Sequence, residues 1–546
     1  MSIPPRVSRA LPARLIAATG AALVAAALAG QAAAQSPDPY APGTRWTALP
    51  GVTALWMPVS VRFGAGGELV FVGAGLSTPQ WLVYGSTLPP ASQGVAQAAT
   101  GLLAAPSTLS NLTVSCGDGA RELFGLAQIP DPDSSHRRTE ISRFDPLAPG
   151  GLAALWTHDM GWRANGPAKF AVARDGGRAV AVLQDSATQQ LRIDWLDGAT
   201  GALLGRVDRA GGTLRPLAVD EDCDVVACVA GLELWVFDAG GALRHQEVLA
   251  SATQALALSG DGSTLIVGAP GLLRVLQWTG AAYLERMREQ APAGELPVRV
   301  AASHDGSAWA AAWWNATTGR DVRLELRSAP GDLQVFERRQ FGSSSGPQNF
   351  PEVVLVARDG SRAAFGLWGC QDAQPEVLLV ELAGGGSVAE LDLPGSVTAL
   401  DLDPSGTRLA IGMKHGHANQ FATTGEVRLF DTGERALQAL GPALAGAPLP
   451  VTARRSGAGS VWFLYGPRAA PSVLPGIGGV LELRRRGLRA LAVPADASGR
   501  ADGWLPMPSS PPPTGVPYAV QALFRSAAGS VLSATVLEPL ARNLRS

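Results

Sequence analysis

The 546-residue chain predicts an all-β fold assembled from repeated antiparallel units of four strands, and three observations carry that expectation. A tight turn, clearest as Ser259-Gly-Asp-Gly-Ser-Thr-Leu-Ile-Val-Gly-Ala-Pro270, returns in variants eight times, with equivalent positions at 66, 119, 176, 223, 262, 306, 360 and 406, all glycine except Cys223. The steps between them run from 39 to 57 residues, the spacing of an array of supersecondary units. Alternating apolar stretches flank each turn, and strong helical periodicity is missing.

Each unit reads as an apolar strand, the turn, a second strand rich in Ala and Val, a variable loop, and a third strand that often ends in an aromatic. Asp-Gly at the turn suits a two-residue hairpin, because Gly accepts a positive φ and Asp bonds back to the local backbone. The third strands are expected at Trp81–Tyr84, Glu140–Asp145, Leu191–Trp195, Leu232–Asp238, Leu273–Trp278, Val322–Leu326, Val377–Glu381 and Val427–Asp431.

Four-stranded units at this period resemble the blades of a β-propeller. The pairs Phe144-Asp145, Phe237-Asp238 and Phe430-Asp431 resemble the aromatic-Asp ending of WD40 blades, without the Gly-His dipeptide that precedes such blades. The chain is therefore similar to divergent bacterial WD40-like and YVTN-like propellers over roughly residues 44–440, a structural likeness that transfers no site. Eight turns imply eight blades, and seven if the first hairpin belongs to an incomplete unit. Either Thr44–Leu49 or Glu434–Leu440 supplies the outer strand of the last blade and closes the ring. From 441 to 546 short strands separated by Pro and Gly predict a small β-sandwich. Its Tyr518-Ala-Val-Gln-Ala522 segment resembles a C-terminal module of predicted secreted bacterial proteins.

Export is also expected from the N-terminus, where Arg6, Arg9 and Arg14 precede an apolar run from Leu15 to Leu28 and an Ala32-Ala33-Ala34 cleavage site. The domains are then a signal peptide at 1–34, the propeller at 35–440 and the sandwich at 441–546, with an extracellular or periplasmic location and no stable membrane insertion after cleavage. A formal net charge of −2 with 16% charged residues leaves no basic field for a nucleic-acid backbone. Only Lys169 and Lys414 of the 44 basic residues are lysine, in keeping with the codon bias of a GC-rich bacterial genome. The four cysteines, Cys116, Cys223, Cys228 and Cys370, lack the spacing of a zinc site and read as buried or loosely paired structural thiols.

Catalytic signatures are weak. Gly342-Ser-Ser-Ser-Gly346 satisfies G-x-S-x-G around Ser344, but a nucleophile elbow needs a helix after it, and Pro347-Gln-Asn-Phe-Pro351 follows instead. Asp220, Asp222 and Asp224 lack the Gly and Glu that complete a calcium loop. His415-Gly-His417 needs further ligands before it can hold a metal. The tryptophan docking motifs and adjacent cysteine pair of quinone-dependent propeller dehydrogenases are missing, so no cofactor is expected. Arg484-Arg-Arg-Gly-Leu-Arg489 reads as a solvated hairpin turn.

A binding site is expected on the loops at the channel mouth opposite the turns, where function sits on a rigid scaffold. That mouth would gather Gln184, Asp185, Trp314, Asn315, Trp368, Asp372, His415 and His417, aromatics and amides suited to a protein or polysaccharide. The leading expectation is a secreted, non-enzymatic propeller that binds a protein or polymer or acts as a scaffold. The alternatives are a secreted hydrolase or lactonase-type enzyme working at the channel mouth, and a structural envelope or matrix component.

Overall fold

A computed structural model describes residues 43–538, apart from 49–56, 65–68, 75–79, 86–112, 116–122, 131–135, 146–152, 165, 186, 343–347, 370–373, 404–405, 418–423, 433–436, 440–447, 455–457, 474–476, 479, 484–487, 497–499, 509–517, 527–528 and 533–535. The signal-peptide stretch, Ser344, Cys116, Cys370, Asp372 and Arg484 to Arg486 lie outside the described residues. Among the described residues every regular element is a strand, and no helix is long and apolar enough to cross a membrane.

The repeated turn is larger than its Asp-Gly core implied. In place of a two-residue loop, the ladder closes between residues five apart: Ser259 N donates to Thr264 O at 2.8 Å, Ser303 N to Ala308 O at 2.8 Å and Ala357 N to Arg362 O at 2.8 Å. Inside each loop the glycine amide bonds back three residues, as Gly262 N does to Ser259 O at 2.9 Å. The glycine then takes a left-handed φ, +68° at Gly262 and +66° at Gly306, which only a residue without Cβ adopts cheaply. Cys223 holds the same place in its repeat at φ 57°. There the Asp220 carboxylate accepts the amides of Asp224 at 2.8 Å and Val225 at 3.0 Å and fixes the loop.

Each repeat has its own antiparallel sheet among the described residues. Along the chain these sheets cover 58–85 (three described strands), 113–164, 168–210, 214–248, 255–290, 295–340, 351–391 and 397–431. All the third strands named above fall in the third position of their sheets. The last sheet takes its fourth strand from the other end of the chain: Gly43–Ala48 pairs antiparallel with Gly425–Asp431, Thr44 opposite Phe430 and Ala48 opposite Val427. Leu437–Ala439, the competing segment, instead pairs with Pro448–Arg454.

Successive sheets share buried cores. Phe124 and Ile141 pack with Phe170 and Leu183, Trp195 with Trp235 and Phe237, Val236 with Leu265, Ile266 with Trp309, Leu324 with Phe365, and Leu379 with Ile411. The first sheet closes onto the last through Val61, Phe63 and Val72 against Ala410 and Leu429. At roughly 1.5–3 kcal/mol for each fully buried large apolar side chain, these inter-sheet cores are the main stabilising term. Cys223 and Cys228 sit in one of them as free thiols, and burial pushes the Cys228 thiol up to about 12, which leaves it protonated and inert.

Beyond 436, the sheet of Leu437–Ala439, Pro448–Arg454 and Arg500–Pro506 faces a larger sheet built on Ser460–Val473 and Tyr518–Ser526. Leu449, Val451 and Leu505 from one sheet and Phe463, Val520 and Phe524 from the other form a common core.

Candidate functional site

The turns lead into the second strands, so the far ends of those strands mark the opposite mouth. Gln184 and Asp185 end Arg178–Asp185, Trp314 and Asn315 end Ala308–Asn315, Trp368 follows Arg362–Leu367, and His415 and His417 follow Arg408–Lys414. Asp372 lies outside the described residues.

Several of these side chains are engaged in holding loops. Buried Gln184 donates to Gly212 O at 3.3 Å and accepts from Leu214 N at 2.8 Å, tying its strand to the next sheet. Asp185 accepts the amide of Ala187 at 3.0 Å, and Asn315 accepts those of Thr317 at 2.9 Å and Thr318 at 3.1 Å, the same loop cap in two repeats. The two histidines diverge. His415 reaches Thr424 Oγ1 at 2.8 Å and Glu426 Oε2 at 3.1 Å, while His417 lies 3.3 Å from the Trp368 carbonyl and 3.6 Å from Glu376.

Trp314 and Trp368 do come together, through a residue that carries no motif of its own. Phe350 stands between them, its centroid 5.4 Å from Trp314 and 5.1 Å from Trp368. Charged groups frame this aromatic row. Arg299 lies 5.4 Å from the Phe350 centroid and Lys414 5.8 Å from that of Trp368. Glu352 accepts from Trp368 Nε1 at 2.9 Å and from Arg299 at 3.2 Å, linking row and frame. All three rings are partly exposed, so the row combines apolar area with directed polar groups.

Below the row, the inner strands share an irregularity. Their register shifts between Pro58 and Ser60, Leu214 and Leu217, Pro297 and Arg299, Pro351 and Val353, and Val397 and Ala399. Bulges re-aim side chains, and these turn Arg215, Glu352 and Thr398 out of the regular ladder at one level. Lys169 and Arg299 occupy that level too, each seven positions ahead of the left-handed glycine of its own repeat, Gly176 and Gly306. Their sheets are not neighbours, yet the two charges sense each other: burial first, and then Arg299, hold the Lys169 amine below its usual range. Lys169 is nevertheless exposed to solvent. Burial also lowers the Lys414 amine, while Glu352 acts in the opposite sense.

The turn side is drawn together. Arg174 N bonds Glu221 O at 2.6 Å, Glu221 N bonds Gly260 O at 2.9 Å, Asp261 N bonds His304 O at 2.8 Å and His304 N bonds Arg358 O at 3.0 Å, so successive turns are stitched backbone to backbone. The Glu221 carboxylate gathers His304 Nδ1 at 2.9 Å and Arg358 Nε at 3.0 Å, reaching from the sheet of 214–248 to that of 351–391. Two further concavities are present, the first of them reaching Asn315. One of about 130 Å³ is lined by Glu295, Arg323 and Arg339, whose charges already pair with one another, and a groove of about 570 Å³ runs between Asp359 and Glu381.

Radial sheets with packed faces, a strand from the chain start completing the last sheet, and loops gathered at two mouths define a β-propeller. No family model matches the chain, and no curated protein does. Solved structures similar to it include the Dos1 propeller (11% identity, 72% of this chain, 96% of that one, TM-score 0.48). Others are the Myceliophteria thermophila Cps50 (Swd1) β-propeller domain (12%, 71% and 99%, 0.40) and Kuenenia stuttgartiensis hydrazine synthase (17%, 45% and 73%, 0.34). The fold assignment rests on this chain's own sheets.

Proposed function

We propose that the chain is a secreted bacterial protein, an eight-bladed WD40-like propeller at 35–440 followed by a β-sandwich at 441–546, that acts without catalysis by binding a segment of another protein. The observation that carries the reading is the Trp314–Phe350–Trp368 row at the mouth opposite the turns. Aromatic rings rimmed by Arg299, Glu352 and Lys414 supply buried area and orientation together, as peptide-binding surfaces do. The divergence of His415 and His417 favours binding over hydrolysis, because each imidazole is held by its own neighbours and the pair does not converge on a shared point.

An immobilised library of peptides, probed with the purified chain, tests this. Parent protein is expected to retain a subset that Trp368→Ala loses and that Trp504→Ala, altering an exposed tryptophan of the C-terminal sheets, keeps. Retention of no peptide, or retention indifferent to Trp368→Ala, contradicts the reading.

A further inference from the structure

We infer that the channel level beneath the aromatic row, where Lys169, Arg215 and Arg299 stand with Glu352, receives the carboxylate of an acidic side chain carried by the bound protein segment. The inference deepens the proposed function and rests on it.

By register along the inner strands, Lys169 and Arg299 lie seven positions, and Arg215 and Glu352 eight, ahead of the left-handed residue of their own repeat. Arg299 is fixed by its neighbours, donating from Nε to Glu352 O at 2.6 Å, from one terminal nitrogen to Val298 O at 2.9 Å and from the other to the Glu352 carboxylate at 3.2 Å. Glu352 is thereby shared between Arg299 and Trp368, and it leaves the other two cations uncompensated. Lys169 makes no hydrogen bond or ion pair with any described residue, and Arg215 Nε is buried without a partner. A buried donor without a partner, as Arg215 Nε is, is costly unless a ligand or water satisfies it, while the Lys169 ammonium stands exposed and unpaired. A cleft lined by an excess of one sign concentrates the opposite charge. Lysine suits the place, since its compact ammonium offers three rotatable donors at the tip of a long stem.

Sequence economy strengthens the point. The chain uses lysine twice among 44 basic residues: Lys414 lies over the Trp368 ring, and Lys169 is the second residue of Ala168–Val172, at the end of that inner strand away from the turn. A carboxylate from a segment lying on the row would reach the Lys169 ammonium while its flanking residues cover Trp368 and Phe350. Phosphate shares the anionic chemistry and is distinguished by experiment.

The two lysines make the test direct. The full chain is treated with an amine-acetylating reagent, and modification of Lys169 and Lys414 is followed by mass spectrometry with N-acetylated hexaglutamate, N-acetylated hexaglutamine or inorganic phosphate present. Hexaglutamate should slow acetylation of Lys169 at least fivefold and hexaglutamine, which lacks the charge and adds no amine, should leave it unchanged. Lys169→Gln should weaken hexaglutamate binding at least tenfold, read by tryptophan fluorescence, and Lys169→Arg should restore most of it. Protection by phosphate but not by hexaglutamate overturns the carboxylate assignment, and protection by neither overturns the anion site. Persistence of Lys169 protection in Trp368→Ala supports the channel site while contradicting the aromatic mouth. Binding of hexaglutamate that leaves Lys169 fully reactive does the reverse.

Discussion

Arg45 Nε lies 3.2 Å from Asp431 Oδ2, a link across 386 residues between the first strand and the last sheet. Asp431 is fully buried and Arg45 largely so, which makes the pair part of the closure and more than a surface decoration. Breaking it while retaining the strand should weaken the ring seam. Arg45→Ala is expected to lower stability by about 1–2 kcal/mol in urea unfolding and to raise amide exchange within 427–431. Unchanged exchange there would mean that the seam does not depend on this contact.

The left-handed turn glycines differ in what surrounds them. A Cβ on Gly306 would sit 2.1 Å from Thr264 Oγ1, whereas one on Gly271, at a similar φ of +71°, meets nothing within 4 Å. Gly271→Ala should therefore cost only the backbone strain, about 1 kcal/mol, and Gly306→Ala distinctly more. Thermal unfolding of the two variants side by side checks the difference, and equal losses would contradict the packing of the turn against the preceding sheet.

Asp220 gives stability a pH signature. Burial raises its carboxyl to about 6, against the backbone hydrogen bond from Val225. The native state therefore holds the proton more tightly than the unfolded chain. The stabilising contribution is complete below the ordinary carboxylate value and is lost as pH rises through about 6. Asp220→Asn, which keeps an acceptor for the two loop amides, should flatten the fall in stability between about pH 4 and pH 7 by at most about 3 kcal/mol. An unaltered profile would remove Asp220 as its source.

At the turn mouth, Glu221 is partly exposed and so are His304 and Arg358. Solvent screening limits such clusters, and Glu221→Gln should cost less than about 1 kcal/mol, the loss shrinking further in high salt. A larger, salt-independent loss would show that the cluster is a buried keystone.

The blades were legible because their signals are local. Alternation and the glycine at one αL position recur whatever the loops do, so even Cys223, which breaks the glycine pattern, aligned by its neighbours Asp220 and Val225. The turn length was misread because Asp-Gly marks where φ turns positive and says nothing of where the ladder closes, which Ser259 and Thr264 decide. The choice of closing strand became clear only from pairing between residues nearly 400 positions apart. At the mouth, Trp314 and Trp368 stood out as aromatics, but Phe350 and Glu352 belong to the next inner strand and join them only in three dimensions. Lys169 and Lys414 were visible only as rarities of composition, with no local signal of the side chains around them. Gln184, Asp185 and Asn315 share the strand-end position that drew attention to them, and that position also suits loop caps.

The most direct test of the account compares the two mouths. Calorimetric titration of a library-selected peptide into parent, Trp368→Ala and Arg358→Ala proteins should show at least a tenfold loss of affinity for Trp368→Ala and no change for Arg358→Ala at the stitched turn side. The opposite pattern, with Arg358→Ala abolishing binding and Trp368→Ala leaving it intact, would place the site at the wrong end of the channel and contradict the assignment of the aromatic row.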